Sequence, residues 1–150
     1  CRACGVPFVI NDDVEIALES GADGVHIGQE DMAIPSARQL LGPDRIIGAT
    51  CKTPEQAILA QEQGADYIGS GAMFRSTAKP NAQSISFETL REICRAVTIP
   101  VVAIGGISQQ NIVQLRGCGI AGVAVVSAIF AQPDIEAATR KLYQTVTQIL

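Results

Sequence analysis

Hydrophobic and polar positions follow a repeating order along the chain: a short apolar segment, a polar turn, and an amphipathic segment. The unit recurs about every 25 residues, and its apolar part is rich in β-branched residues bracketed by Gly, Pro or Asp. Strands that are apolar on both faces are typical of a parallel sheet covered by helices. The pattern therefore predicts six strands, over VPFVI, GVHIG, RIIGAT, DYIGSG, PVVAIG and AGVAVVSA.

The amphipathic segments between these strands have helical spacing. In TPEQAILAQEQG we expect Thr53 to cap a helix, Ala57, Ile58 and Ala60 to face inward, and Gly64 to end the helix in a left-handed conformation. Alternating strands and helices without hairpin signals predict a parallel α/β fold. The pattern leaves open whether the sheet is doubly wound or belongs to an eight-unit barrel. A dinucleotide-binding domain loses its main support, because no G-x-G-x-x-G follows the first strand.

Polar and glycine residues follow the apolar segments where each strand is predicted to end. In a parallel sheet the carboxyl ends of the strands carry the active site, so we place the candidate site there. The residues at these ends are Asn11, Asp12, Gln29 to Asp31, Thr50, Ser76 to Lys79, Gly105, Gly106 and Ser127.

Composition narrows the choice of partners. The 150 residues, 47% of them hydrophobic, fit one domain over residues 1–150. With 11 Lys and Arg against 15 Asp and Glu, and no basic block, nucleic acid is not an expected partner. The apolar runs are too short to cross a bilayer and no basic leader is visible, so we expect no membrane association and a cytoplasmic location.

The five cysteines form no disulfide framework, which favours a reducing compartment. We interpret them as ordinary small apolar residues. The opening CRAC has the spacing of half a zinc site or of a redox pair, but no second pair or His cluster completes four ligands.

Several motifs together resemble one family. VINDD, GADGVHIGQEDM, IIGAT, GADYIGSGAMF, an S-T-A-K segment, VVAIGGI and GVAVVSAI resemble thiamine phosphate synthase, in that family's order. The resemblance, to the thiamine phosphate synthase/TenI superfamily, implies a (β/α)8 TIM barrel. VPFVI would then be the third strand, this chain would carry about six βα units, and the first two units with their Gln-x-Arg-x-Lys stretch would be missing from it. Two strand edges would lie open, and a homo-oligomer stays an open alternative.

The resemblance also implies an activity. The family transfers hydroxymethylpyrimidine from its diphosphate to a thiazole phosphate, releasing pyrophosphate. Such a reaction depends on stabilising the charge of the leaving group, so Mg²⁺ and cationic side chains should dominate. Asp12 and Asp31 match the family's two Mg²⁺-binding acids. The alternative is that Asp12 or Asp13 caps the next helix, and that Glu30 and Asp31 are solvated loop acids.

Three residues match the pyrimidine diphosphate side of the family's site. Asn11 matches a pyrimidine contact, although it could instead fix a turn. Thr50 stands where the family usually has Ser, and keeps the hydroxyl. Lys79 matches the lysine that reaches the pyrophosphate and favours its departure. We assign catalytic roles to Lys79 and Thr50.

The thiazole phosphate side is implied by three further motifs, whose strand ends in barrels often cradle phosphate with backbone N–H groups. The matching residues are Ser76, Thr77, Ala78, Gly106, Val126 and Ser127. Gly106 could also be only a permissive turn. Ala78 replaces a threonine, and Ser86 stands where many members have Gly, so an altered substrate preference is an open question.

His26 is the only histidine, and strand alternation points it away from Val25 and Ile27. We interpret it as a packed, hydrogen-bonded structural residue rather than a general base. Two other functions remain alternatives: a TenI-type thiazole tautomerase, which does not need the metal acids or the lysine, and a noncatalytic module that binds thiazole or thiamine phosphate.

Overall fold

In a computed structural model, which describes residues 1–75 and 83–150, the predicted strands form one parallel sheet. The strand order is β1-β2-β3-β4-β5-β6, so every strand lies beside its neighbour in the sequence. A doubly wound sheet reverses its strand order at a switch point, and this sheet does not, so the barrel-type alternative is confirmed. The strands are β1 Val9–Asn11, β2 Gly24–Ile27, β3 Ile46–Thr50, β4 Tyr67–Ser70, β5 Val101–Ile104 and β6 Gly122–Ala124.

Helices follow the strands, as successive βα units require. They are α1 Val14–Glu19, α2 Ile34–Leu41, α3 Pro54–Glu62, α4 Phe87–Ala96, α5 Ser127–Phe130 and α6 Ile135–Ile149, with 3₁₀ segments at Arg2–Cys4 and Ile112–Leu115. The core lies between these helices and one face of the sheet. Val25, Ile27, Ile47 and Ile68 are almost fully buried there, since they alternate onto the helix-covered face.

Helix α3 tests the prediction for TPEQAILAQEQG. Thr53 accepts a hydrogen bond from the Gln56 N–H at 3.3 Å, and Ala57 and Ala60 are buried, as expected. Gly64 has φ of +93° just past the helix end. The prediction for Ile58 is wrong, because its side chain is 39% exposed: only the small alanines of α3 turn toward the sheet.

The opposite face of the sheet carries polar residues in register. Asn11 pairs with His26, His26 with Gly48, and Gly48 with Tyr67, so these residues form one row across β1 to β4. Thr50 lies two positions beyond Gly48 on the same face, nearer the carboxyl ends of the strands. The candidate site therefore sits above this row.

The cysteines only partly match the sequence interpretation. All five are free, and Cys51 and Cys118 are buried as small apolar residues. Cys1 and Cys4 are exposed at a short 3₁₀ turn outside the core, so they do not contribute to its packing. Within the described ranges, no helix combines the length and apolar character needed to span a bilayer.

Candidate active site

An open groove of about 390 Å³ lies at the carboxyl ends of β1 and β2. Asp12 and Asp31 both line it, because the loops that follow two neighbouring parallel strands leave the same edge of the sheet. The full lining is Asp12, Asp13, Val14, Glu15, Glu30, Asp31 and Met32. The two acids that sequence analysis selected for Mg²⁺ are thus brought to one place.

The adjacent residues Asp12 and Asp13 have different structural roles. Asp13 is the N-cap of α1, and its carboxylate accepts a hydrogen bond from the Ile16 N–H at 2.9 Å. Asp12 has φ of +69°, and its N–H donates to the His26 carbonyl at 2.7 Å. Its carboxylate makes no hydrogen bond to residues 1–75 or 83–150. The capping alternative therefore holds for Asp13 and leaves the Asp12 carboxylate available to the groove.

This division of roles predicts that the two substitutions differ in their effect on stability. Asp13→Ala should lower the free energy of unfolding by about 1 kcal/mol, the usual cost of losing an N-cap. Asp12→Asn should change it little, because Asn also tolerates a left-handed φ. Chemical denaturation of both variants measures the difference, and an equal loss in the two would contradict the assigned roles.

Asp31 is anchored within its own loop. Its Oδ2 accepts a hydrogen bond from the Gly28 N–H at 2.6 Å, which holds the carboxylate over the end of β2. In the same loop, the Gln29 amide donates to the Thr50 carbonyl at 2.6 Å and ties the loop to the end of β3. Asp31 is therefore an exposed but positioned acid, and Gln29 is a positioning residue that the sequence motif alone did not assign.

Thr50 belongs to a chain of three side chains on the polar face. Its Oγ1 lies 2.9 Å from His26 Nε2, and His26 Nδ1 lies 2.9 Å from the Tyr67 hydroxyl. Burial lowers the pKa of His26, while the charges of Asp12 and Asp31 act in the opposite direction. His26 is thus packed and hydrogen-bonded, as the sequence predicted.

Two strand glycines make room for this ring. A Cβ on Gly48 would lie 2.2 Å from Tyr67 and 2.5 Å from His26, and one on Gly69 would lie 2.8 Å from His26. Tyr67 was not predicted from the sequence as the partner of His26. The available signal was the pair of glycines inside strands, since such glycines often mark a close approach.

Asn11 ends β1 beside His26. Its carbonyl accepts a hydrogen bond from the Asp13 N–H at 2.9 Å, so the turn into α1 is made by the backbone. Its side-chain amide has no hydrogen-bond partner within the described part of the chain. The Asn11 side chain therefore does not fix the turn within the described part of the chain. Contact of this amide with the substrate stays a prediction.

Gly106 and the start of α5 follow the neighbouring strands β5 and β6. Gly106 has φ of +63°, and a Cβ there would lie 2.5 Å from the carbonyl oxygens of Phe74 and Arg75. Its own carbonyl accepts from the Asn111 amide at 2.9 Å. The positive φ and these two close carbonyl oxygens explain why glycine stands at position 106. Phosphate binding by Gly106 stays a prediction.

Val126 and Ser127 lie at the same edge of the sheet. Val126 is 68% exposed and directly precedes α5, and the Ser127 carbonyl accepts a hydrogen bond from the Gln132 amide at 3.2 Å. The hydroxyl of Ser127 makes no hydrogen bond to residues 1–75 or 83–150. Contact of Val126 and Ser127 with the thiazole phosphate also stays a prediction.

The remaining candidates follow β4 in the sequence. Ser76, Thr77, Ala78 and Lys79 lie outside the described residues, so their roles stay predictions. Ser86 is the N-cap of α4: its hydroxyl accepts a hydrogen bond from the Thr89 N–H at 3.0 Å. Helix capping thus explains why Ser stands at position 86, where many members of the family have Gly.

The donor set at the groove suits one divalent cation shared with a substrate. Across residues 1–75 and 83–150, no group of three or more His, Cys, Asp or Glu side chains is arranged to hold a metal ion alone. Mg²⁺ is typically bound by one or two carboxylates, substrate phosphates and waters. Asp12 and Asp31 fit that requirement, because both are carboxylates facing one groove and neither is consumed by helix capping.

Comparisons with known proteins show which proteins this chain resembles. The thiamine-phosphate synthase of Ruminiclostridium cellulolyticum is 51% identical, over 93% of this chain and 66% of that protein. The chloroplastic thiamine biosynthetic bifunctional enzyme of Arabidopsis thaliana is 49% identical, over 99% of this chain and 29% of that protein. The chain thus spans about two thirds of the bacterial relative's length and under a third of the plant enzyme's.

A solved structure and a family model match as well. The thiamine phosphate pyrophosphorylase from Pyrococcus furiosus superposes with a TM-score of 0.89 at 40% identity, covering 99% of this chain and 71% of that one. This likeness confirms the predicted partial barrel. The family model described as thiamine monophosphate synthase matches residues 1–129. The chain belongs to the thiamine monophosphate synthase family.

Proposed function

We propose that the protein carrying this chain is a transferase that makes thiamine phosphate. It would transfer the hydroxymethylpyrimidine group from its diphosphate to a thiazole phosphate and release pyrophosphate. The observation that carries the proposal is the convergence of Asp12 and Asp31 on one groove, in a chain of this family.

The chain's own residues would act mainly on the leaving group. Asp12 and Asp31 would hold Mg²⁺ against the diphosphate, and the ion would neutralise the negative charge that develops as the bond breaks. Lys79 would add a fixed positive charge to the same group. Asn11 and the Thr50 hydroxyl would contact the pyrimidine substrate at the ends of β1 and β3.

The second substrate would lie at the ends of β5 and β6. Gly106, Val126 and Ser127 stand at neighbouring strand ends, and the Gly106 N–H donates to no acceptor within the described ranges. Such N–H groups are suited to phosphate oxygens. Ser76, Thr77 and Ala78 are proposed to complete this contact.

The metal acids favour the synthase over a thiazole tautomerase, which would not need two carboxylates at this groove. A cytoplasmic location and self-association stay predictions from the sequence. The plant relative is named as a chloroplastic protein, so the location of this one needs its own measurement.

Mixing the full-length protein with both substrates and Mg²⁺, and measuring pyrophosphate release, tests the proposal. We expect release that requires Mg²⁺ and both substrates, and that stops when the ion is chelated. Binding of thiamine phosphate without any release would instead support a noncatalytic module. Isomerisation of the thiazole without Mg²⁺ would support the tautomerase.

A further inference from the structure

Thr50, His26 and Tyr67 form a hydrogen-bonded network whose geometry is more closely defined than side-chain packing alone requires. Both nitrogens of a half-buried imidazole are matched to hydroxyl groups at 2.9 Å, on three neighbouring strands. Both glycines that flank the ring, Gly48 and Gly69, would clash if they carried a Cβ. The ring therefore has one position, fixed at both nitrogens.

The direction of the two hydrogen bonds in this network, that is, which atom donates in each, follows from the acidity of the two hydroxyls. A neutral imidazole offers one N–H donor and one lone-pair acceptor. The phenol of Tyr67 is a much stronger acid than the alcohol of Thr50, so it is the better donor to the lone pair. Burial raises the pKa of Tyr67, which keeps its proton in place. The proton of His26 then resides on Nε2 and is donated to Thr50 Oγ1.

We propose that Tyr67 and His26 are positioning residues for Thr50. Tyr67 donates to His26 Nδ1, His26 Nε2–H donates to Thr50 Oγ1, and the Thr50 hydroxyl proton is left to donate at the strand ends. An anionic acceptor, such as a diphosphate oxygen, would receive it. With the opposite polarity, Thr50 would donate inward and present only lone pairs, which a diphosphate would repel.

This inference rests on the proposed function for the identity of the acceptor. The hydrogen-bond polarity itself does not depend on any activity, so two separate measurements distinguish the failure of one from the failure of the other.

The first measurement is the tautomer of His26. Because the chain has one histidine, a long-range ¹H–¹⁵N correlation spectrum of the ¹⁵N-labelled full-length protein assigns its ring nitrogens without ambiguity. Above the pKa of the ring we expect the proton on Nε2 and an unprotonated, hydrogen-bonded Nδ1. In Tyr67→Phe the Nδ1 resonance should move to that of a nitrogen without a hydrogen bond. Protonation on Nδ1 in the wild type would overturn the proposal.

The second measurement is a double-mutant cycle on the rate of pyrophosphate release. Tyr67→Phe should lower kcat by about three- to tenfold, the typical worth of one hydrogen bond, with a smaller change in KM. In a Thr50→Ala background the same change should have almost no further effect, since nothing remains to be positioned. A merely structural role for Tyr67 would give the same factor in both backgrounds, and that result would contradict the inference.

Tyr143→Phe is the matched control, because the only other tyrosine lies on α6 and is 68% exposed. It should leave both the His26 spectrum and kcat unchanged. If the wild-type protein releases no pyrophosphate, the proposed function fails. The tautomer of the His26 ring still decides the direction of the hydrogen bonds between Tyr67, His26 and Thr50.

Discussion

Asp31→Asn is expected to reduce Mg²⁺-dependent pyrophosphate release by about 100-fold or more, the scale on which loss of one charge-stabilising group slows a reaction. Mg²⁺ prefers anionic oxygen ligands, and a neutral amide contributes a much weaker one. The Asn oxygen can still accept the hydrogen bond from the Gly28 N–H, so the loop should keep its shape. The loss would therefore report on charge rather than on folding.

Glu30→Gln is the matched control for this experiment. Glu30 precedes Asp31, lines the same groove and undergoes the same change from acid to amide. Its variant should retain most of the activity, and raising the Mg²⁺ concentration should partly rescue Asp31→Asn but not alter Glu30→Gln. Equal rates for Asp31→Asn and the wild type would contradict the metal assignment.

Gly106→Ala is expected to cost about 3–5 kcal/mol of unfolding free energy, a large effect for one methyl group. The backbone at Gly106 has φ of +63°, which costs a residue with a Cβ about 1–2 kcal/mol. The added Cβ would also lie 2.5 Å from two carbonyl oxygens, those of Phe74 and Arg75. Backbone atoms cannot swing away as a flexible side chain can, so the loop after β4 would have to move.

Gly117→Ala separates the cost of the positive φ from the cost of the clash with the carbonyl oxygens. Gly117 has a similar φ of +72°, but a Cβ there would meet no atom of residues 1–75 or 83–150 within 4 Å. This variant should therefore lose only the conformational part, about 1 kcal/mol. Urea denaturation of both variants gives the comparison, and similar losses in the two would show that the contact with Phe74 and Arg75 does not constrain Gly106.

Local pattern was enough to predict the strands and the edge of the sheet that carries the site. The apolar segments that end at Asn11 and Thr50 became β1 and β3, because their residues alternate between a helix-covered face and a polar face. The choice between a doubly wound sheet and a barrel could not be made from pattern alone. That choice depends on which strands pair over long range, and the strand order decides it.

The division of roles between Asp12 and Asp13 was equally invisible in the sequence. Both are acids before a helix, and only the backbone conformation separates the cap from the free carboxylate. Tyr67 was missed because its partner His26 is 41 residues away, across an intervening strand. Such contacts follow from sheet register, which propensity and spacing do not encode.

A crystal structure of the full-length protein with Mg²⁺ and pyrophosphate would show whether Asp12 and Asp31 share one metal ion. The prediction is a single ion held by carboxylate oxygens of both Asp12 and Asp31, at about 2.1 Å, with pyrophosphate oxygens and water completing an octahedron. An ion bound to the pyrophosphate but to neither carboxylate would contradict the account, as would carboxylates too far apart to share one ion.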